Sequence, residues 1–194
     1  GNPNFSTGTT SGHYMESALI HDEEYLLIEE NSIAINGSRN VSLTWVYSGV
    51  RVQQTAINSD VKGIFSLSQN KIVFLTNSTS SLAEVKLYDI PTGGISSSFN
   101  ISSLGEIIDC IEIRNGVYLV ATNGNLTLVN VNNHSTLGFL TGVPADRIWY
   151  DDLTNELYVA DGNMLSVYDY TLRTVKATYT HPEDIKEVLF WYNK

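Results

Sequence analysis

Four acidic residues, Asp60, Glu106, Asp146 and Asp184, hold matching places along this 194-residue chain. The first three precede an apolar anchor (Val73, Tyr118 and Tyr158) by 13, 12 and 12 residues. Carboxylates brought together repel one another unless a cation, water or basic groups intervene. A ligand set made only of oxygens suits Ca2+ or Mg2+ rather than zinc. A divalent ion held there would fit a secreted hydrolase or lyase, or a glycan-binding site. The competing reading is that the acids cap turns or pair with Lys62, Arg147 and Lys186, which lie one or two residues away.

Other chemistry is sparse. Cys110 is the one cysteine. It sits in the apolar run Ile107-Ile108-Asp109-Cys110-Ile111 and reads as a small buried side chain with no disulfide partner in the chain. The histidines His13, His21, His134 and His181 are scattered, and none is spaced to activate the thiol. No Ser/His/Asp arrangement, phosphate loop or HExxH motif occurs. Seven Asn-x-Ser/Thr acceptors do occur, at Asn4, Asn36, Asn40, Asn77, Asn100, Asn125 and Asn133. Composition alone would give roughly three or four of this motif. Asn36, Asn40, Asn77 and Asn133 fall at expected turns, where an acceptor must be exposed. Turns collect Asn and Ser for their own reasons, so it is the excess that points to a glycosylated extracellular protein. The lack of disulfides argues the other way; an archaeal cell surface or archaeal virus would reconcile the two.

A net charge of -10 opposes a sequence-independent grip on nucleic acid or on an anionic membrane surface. No apolar stretch approaches the roughly 18 residues of a spanning helix, and no signal peptide reads at the start. The Gly/Ser/Thr/Asn-rich opening, through Gly12, reads as a mature or trimmed terminus, with residues 1–14 a flexible arm. With 42% apolar residues, the chain can bury the core of one domain.

The elements that must position these residues come as a repeat. An alternating run ending in Asp or Asn returns at 33–36, 85–89, 126–130 and 165–169, in steps of 52, 41 and 39 residues. A period near 40 in a strand-rich sequence predicts repeated four-stranded antiparallel sheets, the blades of an all-β propeller. The expected blades cover about 15–57, 60–101, 104–142 and 145–180. Strands are expected at 61–67, 71–75, 84–89 and 95–101 in the second. In the third they fall at 106–113, 117–121, 125–131 and 136–141, and in the fourth at 147–151, 156–160, 164–170 and 174–180. Asn115-Gly116, Asn123-Gly124, Asp161-Gly162 and Pro91-Thr92-Gly93-Gly94 supply turns.

The first repeat is less regular. There 24–29, 32–36 and 41–48 match the second to fourth strands, leaving 50–57 as an inserted strand. Residues 184–193 resemble the opening of the second repeat. They could close a ring of about four blades by supplying its innermost strand, or the chain could belong to a larger propeller. They could also pair with another subunit's edge. Residues 15–22 compete for the same innermost place. In a propeller, matching positions of inner strands cluster about the axis, which is what would gather the four carboxylates.

The stretch Asn155-Glu156-Leu157-Tyr158-Val159-Ala160-Asp161, followed by Val167-Tyr168-Asp169, resembles a blade of the NHL and YVTN-type propellers. Those repeats carry a leucine-tyrosine-valine-alanine-aspartate run and then valine-tyrosine-aspartate; residues 115–130 are a weaker copy. The resemblance implies the propeller fold. It implies little about activity, because these families include lactonases, lyases and binding or surface proteins. The expectation is a non-enzymatic, extracellular glycoprotein acting in adhesion or assembly on a cell surface, appendage or virion. It would work through protein partners or self-assembly, without nucleic acid or membrane insertion. Trp191 and Tyr192 are the aromatics expected to meet a partner. No cofactor is expected unless the carboxylates hold Ca2+ or Mg2+.

Overall fold

The computed structural model describes residues 17–20, 25–30, 40–45, 50–57, 59–68, 70–78, 80 and 82–192. Among them, sixteen strands form four antiparallel sheets of four. The first sheet runs β1 (Ser17–Ile20), β2 (Tyr25–Glu30), β3 (Asn40–Trp45) and β4 (Val50–Ala56). The second runs β5 (Asp60–Ser68), β6 (Lys71–Asn77), β7 (Ala83–Asp89) and β8 (Gly94–Asn100). The third runs β9 (Asp109–Arg114), β10 (Val117–Thr122), β11 (Asn125–Asn130) and β12 (Ser135–Thr141). The fourth runs β13 (Arg147–Asp151), β14 (Glu156–Asp161), β15 (Met164–Asp169) and β16 (Thr174–Thr180). Chain neighbours are sheet neighbours throughout, as in sheets built from successive antiparallel hairpins. The chain divides into two units, Gly1–Ser103 and Leu104–Lys194, with two sheets in each.

Turn chemistry explains why the second to fourth repeats close on Asp or Asn. Asp89, Asn130 and Asp169 end the third strands of those sheets, and each side chain reaches forward over the following turn. They accept from the backbone N–H of Thr92 (3.1 Å), Asn132 (3.0 Å) and Leu172 (2.8 Å) respectively. Four residues after each, Gly93, His134 and Arg173 take φ values of 71°, 55° and 58°, the left-handed step that sends the chain into the outer strand. Between β9 and β10, Gly116 has φ 76°, and a Cβ there would meet Asn132 Nδ2 at 2.3 Å. Any other residue would be strained at that φ and would have to displace the Asn132 amide, so glycine suits the turn.

The second strands lie deepest. Ile72 to Asn77 in β6, and all of β10, are buried without a break. Strands covered on both faces read as continuous apolar runs rather than alternating ones. In the first unit, Ile57, Val61, Ile72, Phe74 and Tyr88 form a core cluster. Phe74 and Tyr88 meet edge to face with centroids 6.2 Å apart, the arrangement ring quadrupoles favour. In the second unit, one cluster joins the third and fourth sheets, with Leu119, Leu126, Ile148 and Leu157 fully buried in it.

Every sheet shares one irregularity: the pairing of third with fourth strand is bulged. Val52, Ser96, Phe139 and Lys176 are the residues skipped by the register. A bulge bends its strand and re-aims a side chain. Phe139 is thereby buried on an otherwise exposed strand, and Lys176 reaches Glu156.

Strand positions in the second to fourth repeats agree with the sequence reading to within a few residues. The largest difference there is β9, which begins at Asp109 rather than 106. Ile107 is fully buried ahead of it, and the Ile108 N–H bonds Ala121 O at 2.9 Å. The first repeat is corrected more substantially. β3 and β4 are the third and fourth strands of their sheet, so the described part of 41–48, through Trp45, belongs to the third strand and 50–57 is no insertion. Third strands then begin at Asn40, Ala83, Asn125 and Met164, in steps of 43, 42 and 39 residues. The strand expected at 32–36 and the arm at 1–14 lie outside the described residues. The closing strand expected over 184–193 is also corrected: its described part, through residue 192, forms no strand, and β1 holds the first place in the first sheet. Its alternation instead lays Phe190 on Tyr158, centroids 5.1 Å apart.

Leu157→Ala should cost about 2–5 kcal/mol of stability, as large-to-small changes in a packed core do. Leu153→Ala, at a side chain 71% exposed, should change stability by less than about 0.5 kcal/mol. Urea unfolding followed by circular dichroism measures both.

Candidate functional site

The four matched acids have separate local roles. Asp60 opens β5 and pairs with Lys62 at 3.0 Å. Glu106 is exposed in the lead-in to β9. Asp146 accepts a hydrogen bond from the Gly162 N–H at 2.8 Å. Asp184 pairs with Lys186 at 3.4 Å, and its Oδ1 lies 3.7 Å from where a Cβ on Gly162 would stand. The fold therefore brings Asp146 and Asp184 to one turn, between β14 and β15. Among the described residues, no group of three or more His, Cys, Asp or Glu side chains is placed to hold a metal ion. Half-exposed and exposed pairs such as Asp60–Lys62 and Asp184–Lys186 contribute little by themselves.

Two other carboxylates do more structural work than these. Asp109 Oδ2 accepts from the Ile148 N–H at 2.9 Å, while Oδ1 accepts from Cys110 N–H at 2.9 Å. It thus ties the first strand of the third sheet to the first strand of the fourth. The sequence carried a signal for it, an acid breaking the apolar run 107–111, but the run drew attention to Cys110, which is buried. Asp151 is buried at the end of β13. It accepts from Leu153 N–H at 3.0 Å and Thr154 Oγ1 at 2.7 Å, which makes the expected Asp151-Asp152 turn. Burial penalises its charge, but hydrogen bonds from Thr154, Tyr192 and Leu153 outweigh that and hold its pKa below the ordinary value.

Tyr192 and Trp191, the expected partner aromatics, part company. The Tyr192 hydroxyl bonds Asp151; that bond, with burial, pushes its pKa up to about 12. Trp191 is 89% exposed. Residues 185–192 therefore run back along the fourth sheet: Ile185 N–H donates to Gly162 O at 2.8 Å, Phe190 rests on Tyr158, and Tyr192 reaches Asp151.

The acceptor asparagines also divide. Asn100, Asn125 and Asn133 are exposed. Asn77, expected at an exposed turn, is the buried last residue of β6, because the second strand stays covered to its end. Asn40 opens β3; Asn4 and Asn36 lie outside the described residues.

A cavity of about 220 Å³ opens in the second unit beside the Gly162 turn. Val143, Pro144, Val159, Met164 and Tyr168 form most of its wall, with Asp161 as its one carboxylate. Sequence reading took Asp161-Gly162 only as turn chemistry; nothing in a linear pattern marks the 142–144 connection as its opposite wall.

No family model and no curated protein matches this sequence. Among solved structures, the chain is similar to the WD40 domain of Neurospora crassa Pan2, with a TM-score of 0.64 and 12% identity. The match covers 91% of this chain and 52% of that one, so this chain spans about half that domain's length. At this identity the likeness shows the fold alone: an all-β protein of propeller-type repeats.

Asp109→Ala should cost about 1–3 kcal/mol, because it leaves a partly buried N–H without its acceptor; Asp109→Asn, which keeps an oxygen there, should cost less. Denaturant unfolding compares them. For Asp151, a depressed folded-state pKa means stability that is present above the ordinary carboxylate pKa and lost as pH falls through the lowered one. Unfolding profiles should therefore show the native chain losing stability below about pH 4 more steeply than Asp151→Asn.

Proposed function

We propose that this chain is an extracellular, glycosylated β-propeller that acts by binding or assembly, as a structural or adhesive component of a cell surface, appendage or virion. The observation that carries this reading is the acceptor pattern: seven sequons, of which Asn100, Asn125 and Asn133 are exposed. Exposure is what a bulky, solubilising glycan needs. The acidic balance, -10, suits a solvated surface and partners without strong negative charge. Protein partners or self-assembly fit the fold class, whose sheets present turns and outer strands rather than a fixed reaction centre. Within propellers, the NHL and YVTN-type assignment rests on the stretch 155–169 and its weaker copy at 115–130. The hydrolase or lyase alternative needs acids converging on a cation, and among the described residues no three are so placed.

Intact-mass measurement on protein from its native source, before and after enzymatic or chemical removal of N-glycans, tests the proposal. The expected result is a mass above that of the bare chain that falls on treatment. Substituting Asn100, Asn125 or Asn133 by Gln should each remove one glycan's mass, and Asn77→Gln none. A native mass equal to the bare chain overturns the reading.

A further inference from the structure

We propose that the cavity beside the Gly162 turn receives a lysine side chain. Its walls are apolar at Val143, Pro144, Val159 and Met164, and the largely buried Tyr168 also lines it. One acid, Asp161, lines it, two residues along β14 from Val159 and so on the same face, and its side chain has no hydrogen bond or ion pair among the described residues. The other acids at this turn are occupied: Asp146 by the Gly162 N–H and Asp184 by Lys186. Both still add negative potential where Asp161 stands. Lys186 offsets part of it from an exposed position bound to Asp184.

The chemistry that complements this arrangement has an apolar stem and a single cationic end. A neutral apolar ligand would cover a carboxylate and give it nothing in return, which is costly. A guanidinium carries five donors in a rigid fork, and one carboxylate among valine, proline and methionine leaves most of them unmet. A lysine meets both demands: its methylenes lie along the apolar wall while the ammonium reaches the acid. Met164, 40% exposed, stands at the rim as a flexible side chain that can close over the stem. That the lysine belongs to a protein partner rests on the binding reading above; the chemistry of the cavity does not.

The test is a titration of the whole, 15N-labelled chain with Nα-acetyl-lysine N-methylamide, watched at the backbone amides of Val159, Asp161, Gly162 and Met164. A dissociation constant on the order of millimolar is expected for a probe of this size. The norleucine and arginine counterparts should bind about tenfold more weakly, as should the lysine probe to Asp161→Asn, since each lacks or mismatches one charge-assisted contact. Norleucine or arginine binding within about twofold of lysine overturns the proposal, as do shifts confined to other residues or none at all. If Asp161→Asn does not fold, the comparison of the three probes on the unaltered chain decides. These failures would leave the glycoprotein reading standing, and a bare-chain mass would leave the cavity standing.

Discussion

A strand covered on both faces has no polar side to offer water, and β6 and β10 are such strands. Their backbone groups must be met by ladders on both edges, and their side chains must be apolar along nearly the whole length. The few polar groups they carry are pushed to the ends and paired there. Thr76 Oγ1 reaches Glu84 Oε1 at 3.3 Å, and Thr122 Oγ1 reaches Asn125 O at 3.3 Å. Charged residues are kept out of these two strands, apart from Lys71 at the exposed start of β6.

At those strand ends, carboxylates serve as acceptors for backbone N–H groups that the ladders do not reach. Asp89 and Asp169 do this at the third-strand turns, Asp151 at the turn after β13, and Asp109 between two sheets. Glu84 shows the balance of forces. Burial resists its charge, but Ser59, Lys86 and Thr76 outweigh the penalty and lower its pKa. Lys86 in turn donates to Ile57 O at 2.6 Å. An acid in this fold is first a piece of scaffold, and a matched spacing of acids is what a repeating scaffold produces. Asp161 differs because it lines a cavity and its side chain takes no turn N–H among the described residues.

Most strands were legible because turn chemistry and apolar runs agreed. Asn115-Gly116, Asn123-Gly124 and Asp161-Gly162 bracketed strands that the structure places within a few residues of expectation. The first repeat misled because 33–36 and 41–44 both alternate, and alternation states which side chains share a face without stating which strand comes next. The same weakness produced a closing strand over 184–193. Periodicity matched β5, but whether a segment pairs depends on an open edge lying beside it, which alternation does not state. Asp109 and the burial of Asn77 were missed for a related reason: both depend on neighbours about forty or more residues away or on cover from beyond the strand, and no local pattern encodes that.

The recurring bulge between third and fourth strands bears on colloidal behaviour. The fourth strands end their sheets, and an unpaired edge that is flat and regular is a template for fibril growth. Here each such strand carries an extra residue, so its donors and acceptors fall out of step partway along and its twist sharpens. A second chain laid against it would match register on one side of the bulge and lose it on the other. Four copies of the same small misalignment would thus let a chain rich in strand remain dispersed at concentrations where straight edges would nucleate cross-β aggregates.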